Sequence, residues 1–422
     1  MLPPRSGIMV KRNRVVITGM GVLAPNGIGL EAFWETLLQC RSGIGPITLF
    51  DASKFKTRIA GEIKGFDPAE HIEPEMKPKR MARHTQLAYA ATMMALKDAG
   101  LEMNNLSLPS PTPVVIGVST SAIDVIESVH FAVDRGTPNR APVSSAAASI
   151  PQAAANTIAD RIGTYANATT VSSACPSGLD ALADAAAMIR SGEVEAAVAG
   201  GADAPITPLT LASFIGSGLV SPSNGEPELA SRPFDLTRES GVLAEGAGIF
   251  IVENYERALA RGARSYVEIA GFGKQRDSDR MKPASGLLDS MKLALANAGR
   301  SINDVDYISA YGTGDPILDA AEVAVIKQLF GARAYDIPIS SIKGVTGNAL
   351  GASGPLQVIA SALAIREGQI PPTANLRSFD PSCDLDFVPC QPRRAKIDCA
   401  LINVRGIGGS ASTLVLHRLG NE

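Results

Sequence analysis

What most constrains this chain is a repeated alternation of short β-branched runs with alanine-rich segments. "RVVITGMG", "PVVIGVS", "ATTVSSACPSG", "AAVAGGADA", "YVEIAGFG", "DYISAYGTG", "IPISSIKG" and "ALINVRGIGG" read as buried strands that break at or near glycine. Between them, "TQLAYAATMMALKDAG", "GLDALADAAAMIRSG", "LLDSMKLALANAG" and "PLQVIASALAIREG" read as helices stopped by glycine. This pattern predicts an α/β protein with buried, mainly parallel strands. At 422 residues the chain exceeds the roughly 250–300 residues at which a single core stops growing, so two fused halves are expected. "EGAGIFIVEN" and "GGSASTLVLHR" close these halves in the same manner, and a seam at residues 261–266 divides the chain into units 11–262 and 263–420.

Charge and cysteine content narrow the function. With 39 basic and 42 acidic residues the net charge is −3, so no basic field points to nucleic acid. The five cysteines form no C-x-x-C pair and have no histidine at metal-ligand spacing, which predicts a reduced, cytoplasmic protein without structural zinc. No apolar run approaches the ~20 residues of a membrane span. The glycine cluster in "VVITGMGVLAPNGIG" lacks G-x-G-x-x-G spacing and the acidic residue expected about 20 positions later, so it does not predict a dinucleotide site.

Cys175 stands out because "VSSACPSG" reads as strand, tight turn and helix start. A sulfur there sits near exposed helical N–H groups, which favour the thiolate. Gly178, lacking a side chain, would let a thioester approach the backbone. The alternative is a buried cysteine acting as a small hydrophobe.

The segments "VSSACPSGLDALADAAAMIRSGEVEAAVAGGADA", "RVVITGMGVLAPNG", "SRPFDLTRESGVLAEGAGIFIVEN", "YGTGDPILDAAEVAVI", "SSIKGVTGNALGASGP" and "IPPTANL" resemble the β-ketoacyl-acyl-carrier-protein synthases of fatty-acid and type II polyketide pathways. The resemblance spans residues 14–418. It implies a thiolase-like duplicated α/β/α/β/α sandwich, usually dimeric. It also implies that Cys175 accepts an acyl chain, with no cofactor beyond the phosphopantetheine arm that carries the substrate. In that family two histidines then stabilise the enolate formed when a malonyl donor loses CO2.

Both histidines are replaced here. The His-Gly-Thr motif reads Tyr311-Gly312-Thr313, and the Thr-Gly-His motif reads Thr346-Gly347-Asn348; His71, His84, His130 and His417 lie outside both. A phenol titrates near ~10 and is a poor proton acceptor at neutral pH, whereas imidazole titrates near ~6.5. The C-terminal glycine loop reads "NVRGIGG", with Arg405 and Ile407 where elongating synthases carry two phenylalanines, a departure similar to chain-length factors. A guanidinium beside an acyl pocket has to be paired or solvated. Chain-length factors usually lack the cysteine that this chain keeps.

By the same resemblance Lys343 occupies a Ser-x-Lys turn, Asp319 and Glu322 match an acidic pair, and Thr313 matches a contact to the phosphopantetheine arm, with Asp315 replacing the next threonine. Lys77, Lys79, Arg80 and Arg83 fall where the family docks acyl carrier protein. Three readings stay open: a chain-length-factor-like partner in a heterodimer with a ketosynthase; a self-sufficient homodimeric acyltransferase or condensing enzyme with a Cys-Tyr-Asn centre; and a non-catalytic binding protein.

Overall fold

A computed structural model describes residues 13–101, 103, 107–278 and 284–420, so the expected N-terminal boundary at residue 11 lies outside the described residues. Ten strands form one path across the molecule. The first half contributes β1 (Val15–Ala24), β2 (Val114–Gly117), β3 (Ala168–Val171), β4 (Ala196–Asp203) and β5 (Gly246–Asn254). The second contributes β6 (Val267–Arg276), β7 (Tyr307–Ser309), β8 (Ile339–Ser340), β9 (Cys399–Arg405) and β10 (Ser410–His417). Their order is β8-β7-β9-β10-β6-β1-β5-β4-β2-β3. Each half therefore repeats one arrangement, and the halves join where β1 and β6 pair through Val16↔Glu268 and Ile17↔Val267. "EGAGIFIVEN" and "GGSASTLVLHR" supply the equivalent fifth strands.

The expectation of mainly parallel strands is corrected. In each half two pairings are parallel, β2 with β3 and β4, and β7 with β8 and β9. The fourth strand pairs antiparallel with the fifth, and the fifth with the first. For β9 and β10 the reason is connectivity: they are joined by only residues 406–409, too short for the crossover that a parallel pair requires.

Helices complete the sandwich. α1 (Arg83–Asp98) covers β1, β4 and β5 from outside, and α3 (Ser285–Ala298) covers β6 and β10. α2 (Ser177–Ser191), packed on β2 and β4, and α5 (Ser353–Glu367), packed on β5 and β9, lie against each other. Every residue of α5 from Ser353 to Ile365 is buried, as a helix enclosed on all sides requires. Its Pro355 lies in the first turn, where no intrahelical bond is lost. The packing between the central helices is backbone-close. A Cβ on Gly178 would stand 2.4 Å from the Gly351 carbonyl oxygen and 2.5 Å from Pro355. Gly178 therefore faces helix packing, which corrects the reading of it as an approach for thioester. Among the described residues no helix is long and apolar enough to cross a membrane.

Candidate active site

Cys175 sits where β3 ends and α2 begins, in a turn pinned by side chains. Ala174 adopts φ 64°. The Ser177 hydroxyl accepts from Ser173 N–H at 2.9 Å and donates to the Ala174 carbonyl at 2.5 Å. The Ser173 and Ser412 hydroxyls both donate to Asp180 of α2, each at 2.5 Å. These bonds hold the sulfur at the floor of a cavity of about 190 Å³. Tyr311, Thr313, Asp315, Asn348, Arg405 and Ile407 also line that cavity.

Tyr311 follows β7 on a loop fastened from below by α4 (Pro316–Phe330). Glu322 accepts the Tyr311 and Gly312 N–H groups, both at 2.9 Å, and Asp319 accepts Thr313 N–H at 2.9 Å. The acidic pair thus braces the Tyr-Gly-Thr loop rather than meeting substrate. Asp315 caps α4, accepting the Ile317 and Leu318 N–H groups at 2.9 Å. Lys343 is fully buried: its Nζ donates to the Tyr311 carbonyl at 2.7 Å and to Gln357 at 3.2 Å, and lies 4.3 Å from the centre of the Tyr311 ring. Burial pushes it down to about 8, although Glu322 and Cys175 favour its charge.

Ser353 Oγ–H donates to Asn348 Oδ1 at 2.9 Å, which fixes the amide oxygen as the acceptor of this pair. Asn348, Tyr311 and Cys175 line the cavity together, and both the thiol and the amide bear on the protonation of the Tyr311 phenol. Burial first, then the neighbouring thiol, holds the Tyr311 phenol well above its usual range, so it donates and does not accept a proton near neutral pH. The Ile407 N–H also supports the sulfur, yet burial dominates and raises the Cys175 thiol. Desolvation of the enclosed sulfur thus opposes the thiolate that the helix start favours.

Other expected residues separate. Arg405 is paired, its guanidinium donating to Asp277 at 2.6 Å, and the Ile407 side chain is exposed at the cavity mouth. Thr346 does not line the cavity; it is buried, with its hydroxyl donating to the Ile342 and Gly347 carbonyls. Its expected substrate contact is therefore corrected to a turn-stabilising one. Lys77, Lys79 and Arg80 are exposed, away from the cavity lining. Arg83 instead binds buried Glu245 through two bonds of 2.5 and 2.7 Å, which removes it from the docking set. Residues missed from the sequence are Ser353, which orients Asn348, Asp277, which neutralises Arg405, and the apolar lining by Phe214, Leu219, Leu318 and Leu350. Among the described residues no His, Cys, Asp and Glu cluster could hold a metal.

Known proteins match this arrangement along the chain. The family profile described as Beta-ketoacyl synthase, N-terminal domain, matches residues 12–258, and that described as Beta-ketoacyl synthase, C-terminal domain, matches residues 266–377. The chain is 39% identical over 414 residues to 3-oxoacyl-[acyl-carrier-protein] synthase 2 of Coxiella burnetii, covering 97% of this chain and 100% of that one. It is 39% identical over 416 residues to the tetracenomycin polyketide synthase ketoacyl synthase alpha subunit of Streptomyces glaucescens, covering 96% and 97%. The solved ishigamide ketosynthase/chain length factor superposes with a TM-score of 0.90 at 34% identity, covering 97% of this chain and 100% of that one. With both halves matched and the cysteine turn, Gly-Thr loop and lysine turn in their family order, the chain belongs to the β-ketoacyl synthase family.

Proposed function

We propose that this chain is a β-ketoacyl-synthase-type subunit that takes acyl groups from acyl carrier protein onto Cys175 and works as a chain-length-factor-like partner of a condensing-competent synthase. The observation that carries this reading is the replacement of imidazole around the sulfur by a phenol and an amide, which can donate hydrogen bonds but take up no proton near neutral pH. Acyl transfer needs a thiolate to attack the carrier thioester and a donor for its carbonyl oxygen as charge develops; the Tyr311 O–H and Asn348 NH2 fit the donor role. Decarboxylative condensation needs two such donors aimed at the malonyl thioester oxygen, where the family uses two imidazoles, and one misplaced donor costs roughly 3–4 kcal/mol, or about 10²–10³ in rate.

In this proposal residues 11–262 supply Cys175 and residues 263–420 supply Tyr311, Lys343, Asn348 and Arg405. Thr313 lies along the path of the phosphopantetheine arm, Arg405 and Ile407 shape the mouth, and Lys77, Lys79 and Arg80 offer an acidic carrier protein a cationic face. The setting is cytoplasmic, with no cofactor other than the carrier arm. A heterodimer is favoured by likeness to a solved structure named as a ketosynthase/chain length factor, and carrier docking by likeness (TM-score 0.88, 30% identity) to one named as a type II PKS acyl-carrier protein in complex with its ketosynthase.

A second reading, a self-sufficient Cys-Tyr-Asn acyltransferase, is favoured by Cys175, Tyr311 and Asn348 lining one cavity within one subunit, with Ser353 holding Asn348. Elongation assays separate the two. The purified chain, given acyl- and malonyl-carrier protein, is expected to elongate only when a synthase with an intact Cys-His-His set is added. Elongation by the chain alone at ordinary rates overturns the partner reading.

A further inference from the structure

Outside the acyl site, two cysteines from opposite ends of the chain meet. Cys40 follows the helix Leu30–Leu38, and its thiol donates to the carbonyl oxygen of Cys390 at 3.4 Å. Both are free, Cys40 partly buried and Cys390 exposed. Both have φ 53°, a backbone region disfavoured for residues with side chains and found where surroundings enforce it. Burial and the adjacent Cys390 sulfur push the Cys40 thiol up to about 11. Cys390 donates to the Leu376 carbonyl at 3.2 Å, so neither thiol serves the acyl site.

The pair lies across the frame that carries that site. On one side Gly43, three residues beyond Cys40, donates its N–H to Val345 at 2.9 Å, within the turn that leads to Asn348. On the other, Cys390 N–H donates to the Thr373 carbonyl at 3.1 Å, and the Thr373 hydroxyl accepts from Ser341 N–H, also at 3.1 Å. The Ser341 hydroxyl in turn donates to the Gly312 carbonyl at 2.7 Å, beside Tyr311.

We propose that Cys40 and Cys390 are an oxidation site, a dithiol that a hydroperoxide converts to a disulfide clamping residues 40 and 390 across the Tyr311–Asn348 frame. The exposed Cys390 sulfur attacks the peroxide, the O–O bond breaks, and sulfenic acid and an alcohol or water form. The Cys40 sulfur then displaces the sulfenic oxygen as water, closing the S–S bond. One peroxide is reduced and two thiols are oxidised, with no other reactant. This step is independent of acyl transfer at Cys175.

The test treats the reduced full chain with one equivalent of hydrogen peroxide, alkylates it after denaturation and digests it without reductant. The expected product joins the Cys40 and Cys390 peptides at their summed mass less two hydrogens, and dithiothreitol reverses it. In Cys40→Ser the link disappears and Cys390 is trapped by dimedone as sulfenic acid. Cys390→Ser, at an exposed position, leaves Cys40 alkylatable after peroxide. The proposal is overturned if wild-type Cys40 stays alkylatable while Cys390 oxidises alone, or if the disulfide joins two chains.

Discussion

At the residue scale, the proposal turns on Tyr311, whose phenol lines the cavity with Cys175 where the family's motif carries an imidazole. Tyr311→Phe removes the O–H and is expected to slow alkylation of Cys175 by iodoacetamide about tenfold or more, since a hydrogen bond to a charged group contributes about 1.5–3 kcal/mol. Competition mass spectrometry of the Cys175 peptide measures this. The pair Tyr311→His and Asn348→His restores both imidazoles and is expected to raise elongation by about 10²–10³, the scale of one donor brought into its proper place, read from β-ketoacyl product. Cys175 and both substitutions were legible in the sequence because they sit in contiguous motifs. The raised Cys175 thiol was not, because it depends on an enclosure built by distant segments.

At the element scale, the β9–β10 connection is held by a pair that sequence spacing hides. Arg405 and Asp277 are 128 residues apart, and Asp277 also donates its N–H to Gly409 at 2.8 Å. Arg405→Phe leaves the Asp277 carboxylate without its cation in a mostly enclosed place. It is expected to lower stability by about 2–3 kcal/mol, short of the ~3–5 kcal/mol of fully buried pairs. Denaturant melts of Arg405→Phe, Asp277→Asn and the double variant check this: the double variant should cost less than the sum of the singles. Gly178 belongs to the same scale. Because a Cβ would meet backbone oxygen at 2.4 Å, Gly178→Ala is expected to cost about 3 kcal/mol by forcing the central helices apart. The sequence marked Gly178 as special but not for this reason, since the partner residues Gly351 and Pro355 lie in the other half.

At the scale of the whole molecule, strand–helix alternation and the two glycine-rich closing strands made the duplication legible, while strand direction depended on loop lengths that only the assembled sheet explains. Acid stability is a property of this scale. His84 is fully buried with Nδ1 unpartnered, and desolvation lowers it from 6.5 to about 4. Between those values the unfolded chain binds a proton that the folded chain refuses, so stability falls as pH drops from 6.5 toward 4, by up to about 3 kcal/mol. His84→Phe is expected to flatten that slope in melts recorded across this range; an unchanged slope assigns it to other groups.

The central claim is that Cys175 receives an acyl group in a site that cannot by itself extend it. Its most direct test is a time course of intact-protein mass after mixing the purified chain with acyl-carrier protein and then malonyl-carrier protein. A stoichiometric acyl adduct is expected, absent in Cys175→Ala, that persists after the malonyl donor is added and yields β-ketoacyl product at least about 10²-fold more slowly than a histidine-bearing synthase. Rapid conversion of the adduct to β-ketoacyl product, or no adduct at all, would contradict it.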